Sequence, residues 1–110
     1  MIAETPAPPY WAVIFTSVRT EAEPDAYGAM AQAMVELAQK QPGFLGVESA
    51  RNEVGITVSY WSDLDSIAAW KADLKHLAAQ KAGLARWYDS YCTRIARVER
   101  DYTNLTTDLR

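Results

Sequence analysis

Cysteine occurs once in this chain, at Cys92, and histidine once, at His76. A lone cysteine cannot close a disulfide within the chain, and it excludes a cysteine-rich zinc site. The carboxylates are scattered, and nothing sets two of them at metal-ligand spacing with the histidine, so no metal is expected. The stretch GFLG lacks the spacing of either common phosphate-binding loop. No apolar run approaches the roughly 18 residues a membrane helix needs, so no membrane partner is expected. Positive charge is also sparse: 11 Lys and Arg stand against 14 Asp and Glu, for a net charge of −3. Arg94, Arg97 and Arg100 come closest to a basic cluster, but Glu99 and Asp101 interrupt them. A nucleic-acid partner is therefore not expected. The N-terminus shows no basic segment leading into an apolar stretch, which makes the cytoplasm the simplest expected location.

What is present suits one globular domain: 110 residues, 49% of them hydrophobic. Residues 1–9, MIAETPAPP, are proline-rich and read as an extended arm, solvated or laid on a neighbouring subunit. YWAVIFTSVR, from Tyr10 to Arg19, is aromatic and β-branched and predicts a buried central strand. Pro24 then stands at a possible first helical turn, and the composition from Ala26 to Gln41 predicts a helix. Met30, Met34, Leu37 and Ala38 form its apolar stripe. Gln41-Pro42-Gly43 ends that helix; FLGVESAR and ITVSYW, joined by NEVG, read as a hairpin. Ser62 or Asp63 is a natural cap for a second helix, whose stripe holds Ile67, Trp70, Leu74, Leu77 and Ala78. That helix should stop near Lys81 to Gly83, with a possible further turn from Leu84 to Tyr88. Asp89 to Tyr102 alternates as a last long strand, and residues 103–110 form a polar tail.

The order β-α-β-β-α-β over residues 10–102 predicts an α+β, ferredoxin-like domain with an antiparallel four-stranded sheet. Both helices should lie on one face of that sheet. The strands are apolar on both faces, so the uncovered face should pack against a second copy in a homodimer.

Several stretches together resemble a known family. They are YWAVIFTSVRT, QPGFLGVESAR, ITVSYWSDLDSIAAW and HLAAQKAGLARWYDSYCTRIARVERDY. In their order the chain resembles the antibiotic biosynthesis monooxygenase (ABM) domain family, within the dimeric α+β barrel group. The resemblance implies a homodimeric barrel with one cavity per subunit. It also implies a monooxygenase that needs no cofactor and acts on an aromatic or quinol-like small molecule. A non-catalytic, dimeric small-ligand-binding protein of the same fold is the alternative. Haem degradation, known in some relatives, fits less well. Their histidine ligand falls at Gln80 here, and the family's catalytic asparagine on the first strand has no counterpart in YWAVIFTSVR.

Seven side chains are candidates for the site. His76 is the one residue whose ordinary pKa lies near neutrality, but helical spacing turns it away from the apolar stripe. Trp61 and Tyr60 end the third strand and could stack a flat ligand; core packing is their other reading. Trp87, Tyr88 and Tyr91 gather where the last helix meets the last strand. They could line a pocket or simply plug the end of the barrel. Arg94 shares a strand face with Cys92, Ala96 and Val98. It would bind an anionic substrate group or pair with Glu48. His76, Tyr91 and Arg94 are thus the candidates for chemistry; Trp61, Tyr60, Trp87 and Tyr88 are those for substrate binding.

Overall fold

YWAVIFTSVR forms β1 (Tyr10–Arg19), which lies between two other strands of the sheet. The fold is that of a computed structural model, which describes residues 1–21, 24–80 and 87–105. After β1 come α1 (Pro24–Gln39), β2 (Phe44–Arg51), β3 (Gly55–Trp61), α2 (Leu64–Gln80) and β4 (Tyr88–Val98). The strands make one four-stranded sheet in the order β2-β3-β1-β4, with every neighbour antiparallel. This is the expected α+β, ferredoxin-like arrangement.

Helix α1 begins at Pro24, the residue expected at a possible first turn, and ends at Gln39, two residues before the expected Gln41. Pro24 supplies a fixed φ at the first turn and has no N–H to satisfy, and Asp25 adds negative charge there. At the other end Pro42 disfavours a helical conformation at Gln41. The chain turns through hydrogen bonds from Gln41 N–H to Ala38 O (3.0 Å) and from Phe44 N–H to Gln41 O (3.2 Å). Gly43 has a separate reason to be glycine. Its carbonyl accepts the Ser62 N–H at 2.8 Å, and any Cβ at position 43 would collide with the Ser62 and Ser66 side chains. The turn is thereby tied to the start of α2.

Asp63 caps α2. Its Oδ1 accepts the Ser66 N–H at 2.7 Å and its Oδ2 accepts the Ser62 hydroxyl at 2.8 Å. The expected stop of α2 at Lys81 to Gly83, the turn after it and the side chains of Leu77 and Ala78 lie outside the described residues. Alternation carries the expected last strand to Tyr102, but β4 ends at Val98. The reason is geometric: Val98 lies opposite Tyr10, the first residue of β1, so β1 offers no partner beyond it. The chain leaves the sheet there, and the Tyr10 hydroxyl donates to Asp101 Oδ2 at 2.7 Å.

The helices cover the face that carries Val13 and Trp61. These pack with Ala38 of α1 and Ile67 of α2, bordered by Trp11, Phe44 and Trp70. Trp61 has no exposed surface, and its indole N–H donates to Ser59 Oγ at 2.9 Å. Trp70 is only half-buried, and its indole N–H donates to the Met34 carbonyl at 3.2 Å, bridging α2 to α1.

Among the described residues no helix covers the other face. The N-terminal arm is tied to one end of it through two hydrogen bonds. Ala3 N–H donates to Glu48 Oε2 at 2.9 Å, and the Thr5 hydroxyl donates to the Tyr10 hydroxyl at 3.1 Å. A methyl-sized group on Gly46 would press on Ala3, so this glycine admits the arm.

The hydrogen bonds that Asp63 accepts hold its carboxyl below the ordinary carboxylate range. A depressed folded pKa stabilises the fold above the unfolded value, near pH 4, and that contribution is lost as pH falls through the depressed value. Asp63→Ala should therefore lower the melting temperature at pH 7 and lower it less at pH 2. Asp63→Asn should keep most of the cap while losing that pH dependence. Thermal melts across pH 2–7 check both outcomes.

Candidate functional site

Strand alternation alone would put Tyr88 and Tyr91 on opposite sides of β4, because they are three residues apart. The structure brings them together. The β1–β4 register shifts between Val18 and Arg19, so that Val18 faces Ser90 while Arg19 faces Tyr88. The extra residue, Asp89, is a bulge that re-aims Tyr88 to the helix side. There Tyr88, Tyr91 and Phe15 form an aromatic step. Ring centroids are 5.2 Å apart for Phe15–Tyr88, 5.6 Å for Phe15–Tyr91 and 6.1 Å for Tyr88–Tyr91.

Helix α1 closes this group from above with Tyr27 and Met30. The Tyr88 hydroxyl donates to the Tyr27 hydroxyl at 3.2 Å, and Trp87 packs against Tyr27 at 6.2 Å between centroids. Trp87, Tyr88 and Met30 are buried, whereas Tyr91 is 50% exposed. The cluster thus has a closed floor and one open aromatic face.

Two guanidinium groups border it. Arg19 sits over the Tyr27 ring with its Cζ 3.6 Å from the centroid, a cation–π contact. Arg51 reaches it from the far end of β2. Its two terminal nitrogens donate to Ser17, one to Oγ at 2.6 Å and one to the carbonyl at 3.5 Å, and its Cζ stands 5.9 Å from the Tyr27 centroid. Burial is the main cause that pushes the Tyr88 phenol above the ordinary tyrosine pKa, followed by its hydrogen bond to Tyr27. The positive charges of Arg51 and Arg19 pull the other way, with smaller effect. Tyr88 is therefore a neutral hydrogen-bond donor near neutral pH. Because Tyr27 accepts from Tyr88, its own O–H is available to point elsewhere.

The remaining candidates fall outside this cluster. Trp61 lies in the core at the opposite end of β3, against Trp70 (5.0 Å between centroids) and Phe44 (5.5 Å). Tyr60 lies on the uncovered face, donates to Glu48 Oε1 and meets the Tyr10 ring edge-on at 5.7 Å. Burial, then the Glu48 hydrogen bond, raises its pKa as well. Arg94 is exposed on the uncovered face opposite Ile14. It does not pair with Glu48: β4 and β2 are the two edges of the sheet, and Glu48 is taken by Tyr60 and Ala3. His76 is exposed on α2. No group of three or more potential metal ligands occurs among the described residues.

Phe15, Ser17, Arg19, Tyr27 and Arg51 were not among the sequence candidates. A weak signal existed for Arg51, a charge at a strand end facing a glycine across the hairpin. Its destination depends on which strand lies beyond that glycine, and no local pattern carries that information.

Comparison with known proteins agrees with the fold. The helix-covered antiparallel sheet is of the ferredoxin-like α+β class. Residues 9–82 match the family described as antibiotic biosynthesis monooxygenase. The chain belongs to that family. It is 50% identical over 101 residues to the uncharacterized protein YqjZ of Bacillus subtilis, covering 90% of this chain and 88% of YqjZ. In fold it is similar to a mutant form of SnoaB, a cofactor-independent oxygenase from Streptomyces nogalater. That match has a TM-score of 0.69 at 13% identity, over 86% of this chain and 97% of SnoaB. It is also similar to protein SO0527 of Shewanella oneidensis, with a TM-score of 0.69 at 10% identity, over 91% and 100% of the two chains.

The raised pKa values of Tyr60 and Tyr88 give a measurable outcome. In a spectrophotometric titration both should ionise well above the ordinary value of about 10. Each favours the folded state fully below pH ~10, and that contribution is lost as pH rises through the folded pKa. Tyr88→Phe should remove one late-ionising phenol from the ultraviolet titration curve.

Proposed function

We propose that the protein is a cofactor-independent monooxygenase of an aromatic, quinol-like small molecule. The observation that carries this reading is the Phe15–Tyr88–Tyr91 step with the Tyr27 hydroxyl beside it, in a chain of the antibiotic biosynthesis monooxygenase family. A flat ring can lie against Tyr91 and Phe15, where stacking adds about 0.5–1.5 kcal/mol beyond burial. Its oxygen would then accept from Tyr27. Arg19 over the Tyr27 ring draws electron density from the phenol and makes that O–H a better donor. A hydrogen bond to the charged form lowers a substrate hydroxyl's pKa, so an enol or phenol can release its proton to solvent.

The anion so formed is electron-rich enough to react with oxygen directly. It passes one electron to O2, and the two radicals combine into a peroxide on the ring carbon. Loss of water then leaves a carbonyl. For an anthrone-like ring, CH2 plus O2 becomes C=O plus H2O, a four-electron balance that needs no outside reductant. The protein's tasks are to bind the ring and hold the anion.

A non-catalytic ligand-binding protein is the second reading. It is favoured by the burial of Trp87 and Tyr88, which fill the floor of the cluster. Oxygen uptake with a panel of anthrones and hydroquinones separates the two. We expect one O2 consumed per ring oxidised, with Tyr27→Phe about 10- to 100-fold slower, the loss of one charge-assisted donor. Tight binding of a panel member with no uptake above the uncatalysed rate would establish the second reading instead.

The same reading includes a homodimer. Val18 and Ile56 are exposed on the uncovered face, and Ile14 and Val58 are only half-buried there. A second copy packed on this face would remove that apolar surface from water. Sedimentation at micromolar concentration should give twice the chain mass, and Ile56→Arg should shift it toward the monomer. A monomeric wild type would overturn this part.

A further inference from the structure

One lateral row on the helix-covered face runs Arg51, Gly55, Ser17, Tyr91, one residue from each strand. Arg51 stands at the edge of the sheet, yet its guanidinium reaches Ser17 two strands away. Gly55 makes this possible. A Cβ at position 55 would overlap the Arg51 guanidinium at Cζ, Nη2 and Nε, so the arginine lies flat across the glycine. The reach ends beside Tyr27 and in line with the exposed Tyr91. Holding a long side chain in this way fixes rotamer freedom that would otherwise be lost on binding.

Among the described residues no acidic side chain takes up the charge so delivered: no carboxylate lies within salt-bridge distance of Arg51, and its contacts are with a neutral serine and an aromatic ring. A guanidinium carries five N–H donors in a planar fork, and Ser17 takes one from each terminal nitrogen. Among the described residues nothing else takes the remaining donors, which can serve a ligand. Arg51 is an exposed residue, so an arriving acid need not displace a buried partner.

We propose that Arg51, laid across Gly55 and anchored on Ser17, is a specificity-determining residue that selects aromatic substrates bearing a carboxylate. The inference rests on the reading of the Phe15–Tyr88–Tyr91 step as the substrate site. With the ring on Tyr91 and its oxygen at Tyr27, the carboxylate is held by the free edge of the fork. Charge-assisted bonds of this kind are stronger than neutral ones, and a planar fork matches a carboxylate better than an ammonium does. Partial exposure reduces the gain, which sets the expected discrimination at about tenfold.

Two ligands of the same shape test this: 2-naphthoate and the neutral 2-naphthamide, titrated against the full chain by calorimetry. Wild type should bind naphthoate about tenfold tighter than naphthamide. Arg51→Met should erase that preference, and Arg51→Lys should restore part of it. Gly55→Ala is the more telling variant. It keeps the arginine but pushes its guanidinium off the glycine, and it should erase the preference with the melting temperature close to that of wild type. Equal weakening of both ligands in these variants, or a preference that survives them, overturns the inference and leaves the oxygenase reading untouched. If neither naphthalene binds the folded wild type, the aromatic step is not the substrate site and both fall.

Discussion

Trp61 is the contact on which the rest of the architecture depends. It is wholly buried at the end of β3, between Phe44 of β2 and Trp70 of α2, with Val13, Ala38 and Ile67 around it. One indole thereby touches strands and helices at once. Losing a buried tryptophan costs a domain about 3–5 kcal/mol, against a total stability of about 5–15 kcal/mol. Its one polar atom is satisfied by Ser59, two residues back on the same strand face, so burial carries no hydrogen-bond penalty. Because the core is concentrated at this end of the sheet, the opposite end is free to be built from polar aromatics.

That opposite end has a different chemistry. Met30 and Trp87 still close it, but phenols and guanidiniums replace aliphatic groups. Tyrosine supplies apolar area and a hydrogen bond at once, which suits a surface that must hold its shape and still offer polar atoms. The bulge at Asp89 and the glycine at position 55 are the two backbone devices there. One turns Tyr88 toward Tyr91, and the other lets Arg51 cross a strand. Both sacrifice local regularity to place a side chain where the pleat would not put it.

The outline of this fold was legible in the chain. Tyr10 to Arg19 matched its strand at both ends because its aromatic and β-branched residues carry the strand preference locally. A cap at Ser62 or Asp63 was legible because the hydrogen bond that Asp63 makes spans only three residues. Boundaries failed where the cause was distant: β4 stops at Val98 because β1 begins at Tyr10. Of the site, Trp87, Tyr88 and Tyr91 were visible as a run of aromatics. Arg51, Ser17 and Tyr27 were not, since each is an ordinary residue within its own element. The arm shows the same limit, as its prolines predicted extension while its attachment rests on Glu48, far along the chain.

What the sequence determined by itself was the alternation, the helical stripes, the caps and hence the order of elements. These arise from interactions within about a turn of helix or one step of strand, and such interactions repeat along the chain. Only the tertiary structure decided which residues meet. The strand order β2-β3-β1-β4 carries Arg51 over Gly55 to Ser17, and a one-residue bulge puts Tyr88 beside Tyr91. The physical reason is that register and strand neighbourhood are set by the packing of the whole sheet against its helices, so no single segment holds them.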